Sequence, residues 1–299
     1  ASAFRGDGLV LAGAIHTIRG LAINGFRGNG ILAAGGNSLA SFPQLTISGN
    51  DIGTDPTGEV AIPNLDRGIR VIAGQGVIQN NVISGNGRSG VFVDSGVVSV
   101  LENRIGVSAS GAALGNGASG IFYGRTDATF LMLREIRGNV IANNRDFAIA
   151  AVTGVDVVVR ENSMHDNGGL AYDIGLDGVS PTPSGLAAGL VERPLVISAR
   201  YDAVAGDTII DLLLNATPPA ASHTTYTLYL FASSHLNRGG YAEGETFLAK
   251  GSGNLVLGEV RVHSDLRGQY ITALTERFVD FGDLQLTASS ELSDGVRVP

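Results

Sequence analysis

Apolar and polar residues alternate over short runs in the first half of the chain, and the runs recur. Leu45-Thr46-Ile47, Val77-Ile78, Val98-Ser99-Val100-Leu101 and Val155-Asp156-Val157-Val158-Val159 are too short for helices and read as strands. Each is followed by Asn, one further residue, then Ile or Met. The copies are Asn50-Asp51-Ile52, Asn81-Val82-Ile83, Asn103-Arg104-Ile105, Asn139-Val140-Ile141 and Asn162-Ser163-Met164. A sixth, Leu21-Ala22-Ile23, carries Leu in the Asn place. Successive copies are separated by 29, 31, 22, 36 and 23 residues. After each comes a Gly/Asn turn and then another apolar stretch, such as Gly90-Val91-Phe92-Val93, Gly120-Ile121-Phe122-Tyr123 or Ala148-Ile149-Ala150-Ala151.

Strand, turn, strand, turn with a period of about 22 residues is one coil of a parallel β-helix, here expected to be right-handed. A single coil cannot bury its own apolar face, so coils stack. About six coils spaced by the width of a strand pair would span roughly 29 Å. The recurring Asn has two uses. It can take a left-handed turn conformation, and its amide can bond the same amide one coil on. Two spacings are long because segments are inserted, at 53–66 and at 106–117. Both follow Asn-x-Ile-Gly, so both are expected on one side of the solenoid, where insertions often shape a binding surface.

Near residue 168 the pattern changes. Pro181, Pro183, Gly185 and Gly189 mark a connector. From Arg193 onward the chain reads as seven short strands: Leu195–Ala199, Thr208–Leu214, Thr225–Phe231, Thr246–Lys250, Val256–Val262, Tyr270–Thr275 and Leu284–Ala288. The expected organisation is all-β. A parallel β-helix occupies 1–178, a linker 179–192 and an antiparallel, immunoglobulin-like β-sandwich 193–299. The sandwich would cap the last coil, whose open strand edges otherwise invite aggregation.

Composition narrows the classes. The 43 glycines, without a collagen period, fit a fold with many tight turns. A net charge of −8 argues against nucleic-acid partners. Cysteine is absent, which excludes disulfides and thiolate chemistry. No apolar run reaches the ~18 residues of a membrane span. The chain opens on Ala rather than Met, which reads as a processed or trimmed start.

The repeats Ile-Ser-Gly-Asn-Asp-Ile-Gly-Thr-Asp-Pro-Thr-Gly (47–58) and Asn-Val-Ile-Ser-Gly-Asn (81–86) resemble those of bacterial secreted and cell-surface proteins with pectate-lyase-like β-helix repeats. The segments 167–181, 193–195, 231–233 and 240–248 are similar to the tail that often ends such arrays, and 286–293 matches it less closely. Where that tail often has a Cys, this chain has Leu236-Asn237-Arg238. The resemblance implies a location outside the cell or on its surface, and a polysaccharide or cell-surface glycan as partner. It does not imply one activity, since the fold hosts lyases, hydrolases, epimerases and adhesins.

A polysaccharide lyase needs a proton-abstracting side chain and a cation or acid facing the uronate. Lys is absent from the repeats; Arg104 and Arg160 follow similar apolar stretches and are the candidate bases, expected on similar faces. His165 beside Asp166, with Tyr172 nearby, is a second candidate acid/base group. A glycosidase needs paired carboxylates across a groove, and the acids of the repeats are scattered. The Asp-Asp and Gly-His-Gly signatures of polygalacturonases and the Asp-Pro-His-Asp motif of mannuronan epimerases are missing. Asp55, Asp66 and Tyr123 are the candidate ligand contacts. Asp173 and Asp177, in Asp-Ile-Gly-Leu-Asp-Gly, have partial calcium-loop character. The leading expectation is a module for adhesion or polysaccharide binding; a polysaccharide-active enzyme is the alternative.

Overall fold

The computed structural model describes residues 6–36, 41–124, 134–152, 157–176, 178, 191, 193–214, 223–252, 257–280 and 285–299. Its first part is three parallel sheets. One has seven strands, from Leu9–Ala12 to Tyr172–Ile174; the second has six, from Ile15–Arg19 to Val158–Arg160; the third has six, from Ala22–Ile23 to Ser163–His165. Each coil thus holds three strands rather than two. The Asn-x-Ile motif itself opens the third, which at two or three residues is too short to show alternation. Six full coils are followed by one more strand of the first sheet.

Parallel stacking places like above like. Ile23, Ile52, Ile83, Ile105, Ile141 and Met164 form one inward row of the third sheet. Ile31, Ile69, Val91, Ile121, Ile149 and Tyr172 form another in the first. All are buried in one continuous core.

The motif Asn residues hold the corner between the second and third sheets. Asn50 Nδ2 donates to Asn81 Oδ1 at 2.9 Å, Asn81 to Asn103 at 2.9 Å, Asn103 to Asn139 at 3.0 Å and Asn139 to Asn162 at 2.9 Å. Each of these donors also sends its main-chain N–H to the same oxygen. The left-handed conformation falls on the residue before each Asn: Gly49, Asn80, Glu102, Gly138 and Glu161. Of the two roles offered for the motif Asn, the ladder is therefore the one it takes. A second ladder runs along the next corner through Asn64, Asn86, Asn116, Asn144 and Asn167.

The C-terminal part is antiparallel. Leu195–Asp202, Asp207–Leu213 and Leu257–Val262 form a three-stranded sheet; Thr246–Ser252, His223–Ser233, Tyr270–Asp280 and Gln285–Ser289 form a larger one, to which Val296–Arg297 adds on Tyr270–Asp280. The predicted linker 179–192 lies outside the described residues except Val191. In the strand His223–Ser233, the stretch from Leu228 to Ser233 is buried on both faces. Leu228, Leu230 and Ala232 pack with Val196, Ile210 and Leu212 of the smaller sheet. Tyr229 and Phe231, alternating with them, join Leu274 and Leu292 in the core of the β-helix. The larger sheet is thus shared between the sandwich and the last coil.

Polar bonds tighten the seam. Ser289 N donates to Val157 O, and Met164 N to Gly244 O. Arg160 holds Glu276 through Nε at 2.5 Å and Nη2 at 2.6 Å, and reaches Glu135 at 3.1 Å. The Glu276 bonds raise the Arg160 pKa further. Removing Arg160 would leave Glu276, 7 % exposed, without its cation. Arg160→Ala is expected to cost roughly 2 kcal/mol in urea unfolding, discounted for the partial exposure of the pair.

Candidate functional site

The two insertions leave the third sheet at Gly53 and Gly106, with φ of 87° and 83°. A Cβ on Gly106 would lie 2.0 Å from the Ala142 carbonyl oxygen, so only glycine lets the chain leave the coil there. Each insertion closes with an antiparallel bridge, Thr54 to Ala61 and Val107 to Ala113. They lie on one corner and touch: Ala109 N donates to Gly58 O, and Ser110 Oγ to Glu59 Oε2 at 2.7 Å. Asp55 organises its own loop. Its carboxylate accepts from Thr57 Oγ1 and from the N–H groups of Glu59 and Val60, and these bonds hold it below the usual carboxylate range. The loop corner is self-satisfied.

The first sheet presents a different surface. Gly-Val-Phe-Val and Gly-Ile-Phe-Tyr occupy the same place in consecutive coils, so Phe92 pairs with Phe122 and Val93 with Tyr123. Val93 and Tyr123 point inward. Tyr123 is 1 % exposed and donates its hydroxyl to Val98 O at 2.6 Å, and burial pushes its pKa up. It has no surface to offer a ligand; the outward position belongs to Phe122. The rings of Phe92 and Phe122 stack with centroids 4.8 Å apart and planes 1° from parallel.

The Arg67 guanidinium lies 4.2 Å from the centroid of Phe92, and that of Arg70 lies 6.0 Å away. Arg67 donates to both oxygens of Asp66 at 3.0 and 3.2 Å, while Arg88 approaches Asp66 at 3.5 Å. Arg70 grips Asp94 through Nε and Nη2 at 3.0 and 2.8 Å. Desolvation lowers the Arg67 pKa, and its Nε is buried with no partner among the described residues. An unsatisfied buried donor of this kind calls for a reason beyond packing. Of the predicted ligand contacts, Asp66 alone joins this cluster. Phe92, Arg67, Arg70 and Asp94 were missed, though the matching place of the two Phe residues in their repeats was the available signal.

The candidate bases separate. Arg104 stands exposed on the third sheet, in a row with Asp51, Val82, Val140 and Ser163. Arg160 stands on the second sheet beside Arg137 and is committed to the seam. They do not share a face, because their strands belong to different sheets. His165 Nδ1 lies 2.8 Å from Asp166 Oδ2, and the other Asp166 oxygen lies 2.8 Å from His235 Nε2 of the sandwich. The bond from His165 leads in holding the Asp166 carboxyl low, and Asp166 raises the His235 pKa. This trio ties the last coil to its cap. Tyr172 is buried in the core instead of joining it.

Asp173 is fully buried and its Oδ1 accepts from Leu176 N at 3.0 Å, closing a turn. Asp177 lies outside the described residues. Among the described residues, no three His, Cys, Asp or Glu side chains are grouped to hold a metal, and no helix is long and apolar enough to cross a membrane.

Residues 67–182 match the family profile described as right handed beta helix region. No curated protein matches the chain. A similar solved structure is the full-length tailspike protein 2 from Escherichia coli O157:H7 bacteriophage CAB120. It is 9 % identical, with a TM-score of 0.17 over 88 % of this chain and 51 % of the tailspike. The chain spans about half the length of that protein.

Proposed function

We propose that the chain is an extracellular or cell-surface carbohydrate-contact module that binds a polysaccharide along the outer face of the first sheet and does not cleave it. The carrying observation is the stack of Arg67, Phe92 and Phe122, flanked by the pairs Arg67–Asp66 and Arg70–Asp94. Sugar C–H groups pack on apolar aromatic surface, and Phe92 and Phe122 are the half-buried aromatic pair on this sheet. Planar guanidinium and carboxylate groups, held by one another, offer donors and acceptors at the spacing of vicinal hydroxyls. The parallel register sets Arg70, Phe92 and Phe122 in three successive coils of one outward row, between the buried Leu32 on one side and the buried Ala150 on the other.

The use made of the acids supports reading this face as binding rather than cleaving. Asp66 and Asp94 are both engaged by arginines, whereas a glycosidase needs an acid and a base or nucleophile free to act on the substrate. The pectate-lyase-like character and the surface location rest on the sequence resemblance alone. In native gels cast with neutral and uronic-acid polysaccharides, at least one polymer should retard the protein. Phe92→Ala/Phe122→Ala should lose that retardation by about tenfold in apparent affinity, equivalent to ~1.4 kcal/mol, while keeping its circular dichroism. Equal retardation of the variant would refute the assignment of this face.

A further inference from the structure

A cavity lies where the last coil meets the sandwich. It has a volume of about 230 Å³ and an open mouth. Leu170 and Tyr172 contribute from the coil; Arg193, Tyr241, Leu292 and Asp294 contribute from the cap.

Two of these side chains are placed as a ligand site would need. Tyr241 is 38 % exposed at the cavity edge, a large aromatic left uncovered. Its backbone is fixed from within: Tyr241 N and Gly239 N both donate to Asn237 Oδ1, whose amide in turn donates to Gly169 O of the coil. Arg193 is the opposite case. Its side chain is nine-tenths buried, yet among the described residues only Nη1 is engaged, with Asp294 Oδ1 at 3.1 Å and Leu292 O at 3.5 Å. Its Nε is buried without a partner. A buried guanidinium Nε without a partner is unfavourable for stability alone.

We infer that this cavity is a second saccharide site, separate from the lateral face, that takes a single neutral pyranose ring. Size sets the limit, because pockets for larger ligands run to roughly 300–1,000 Å³. The chemistry sets the class. Tyr241 supplies the flat apolar surface, Arg193 holds Asp294 in place through Nη1, and Asp294, 68 % exposed, accepts from hydroxyls. The carboxylates of Asp294 and Glu291 on the same wall disfavour an anionic sugar. The site would read a chain end or side branch, whereas the lateral face would contact the length of a polymer.

Saturation-transfer NMR on the full chain with methyl glycosides of glucose, galactose, mannose and rhamnose tests this, with methyl glucuronide as the anionic comparison. The expected result is transfer to at least one neutral glycoside, lost in Tyr241→Ala and in Arg193→Gln and retained in Phe92→Ala/Phe122→Ala. Retention in the lateral-face variant keeps this outcome distinct from the failure of the first site. Should Arg193→Gln fail to fold, the exposed pair Tyr241→Ala and Asp294→Asn carries the same test. Transfer that persists in Tyr241→Ala, transfer to methyl glucuronide alone, or none to any glycoside would overturn the proposal.

Discussion

Replacing Glu243 with Ala is expected to destabilise the protein by roughly 3–5 kcal/mol, the cost of stripping a buried hydrogen-bonded group from its partners. The reason is the polarity of the second amide ladder. Each Asn donates towards the next coil, so the last, Asn167, has donors and no further Asn to receive them. Glu243 of the sandwich takes that place. Its Oε1 accepts Asn167 Nδ2 at 2.8 Å, and its Oε2 accepts Asn167 N at 3.0 Å. The carboxyl is 2 % exposed, and burial pushes its pKa from 4.5 up to about 7.

The upward shift gives the pH dependence its sign. Between pH 4.5 and about 7 the folded chain keeps a proton that the unfolded chain has lost. The stability from this group is therefore complete at low pH and declines as pH rises through about 7. His235, raised by Asp166, acts in the same direction, fully present below 6.5 and lost above it. Asp166 and Glu245, both lowered, act oppositely and lose their contribution only in acid, as pH falls through their depressed values. The thermal midpoint should fall between about pH 5 and about pH 8. Glu243→Gln, which keeps an acceptor for Asn167, should stay folded and lose most of that fall. A Gln variant with an unchanged pH profile would show that Glu243 is not the group responsible.

The second large effect is expected in mid-solenoid. Asn103→Ala removes the oxygen that receives both the main-chain and side-chain donors of Asn81, at 3.0 and 2.9 Å. It also removes the donor to Ile78 O and Leu101 O. The Asn81 main-chain N–H left without its acceptor, the lost donor to the neighbouring coil and a small cavity amount to roughly 3–5 kcal/mol. Arg104→Ala, one residue on and exposed, should change stability by no more than about 0.5 kcal/mol. Urea unfolding of the two variants side by side checks this; equal losses would mean that the ladder is not what holds the corner.

The β-helix was legible because its signal is repeated: a misread coil is corrected by its neighbours. The second Asn ladder was harder to see. Asn86, Asn144 and Asn167 each follow a motif Asn by 5 residues, but the insertions push Asn64 and Asn116 to 14 and 13. The third strand of each coil was hidden by its length. In the sandwich, Tyr226-Thr227-Leu228-Tyr229-Leu230-Phe231-Ala232 gave a strand, but not the fact that one face of it belongs to another core. The site was the least legible part. Tyr123 and Phe122 differ only in parity along their strand, and a one-residue difference decides between core and surface. Glu243 and His235 gain their roles from contacts 76 and 69 residues away, which no local pattern encodes.

The most direct test is to titrate the full chain by calorimetry with the polymer that retards it, and to assay the same samples for new reducing ends and for absorbance of unsaturated product. The expected result is heat of binding that Phe92→Ala/Phe122→Ala abolishes, with no product from either protein. Product release by the wild-type chain, or undiminished heat from the variant, would contradict a binding role for the stacked face.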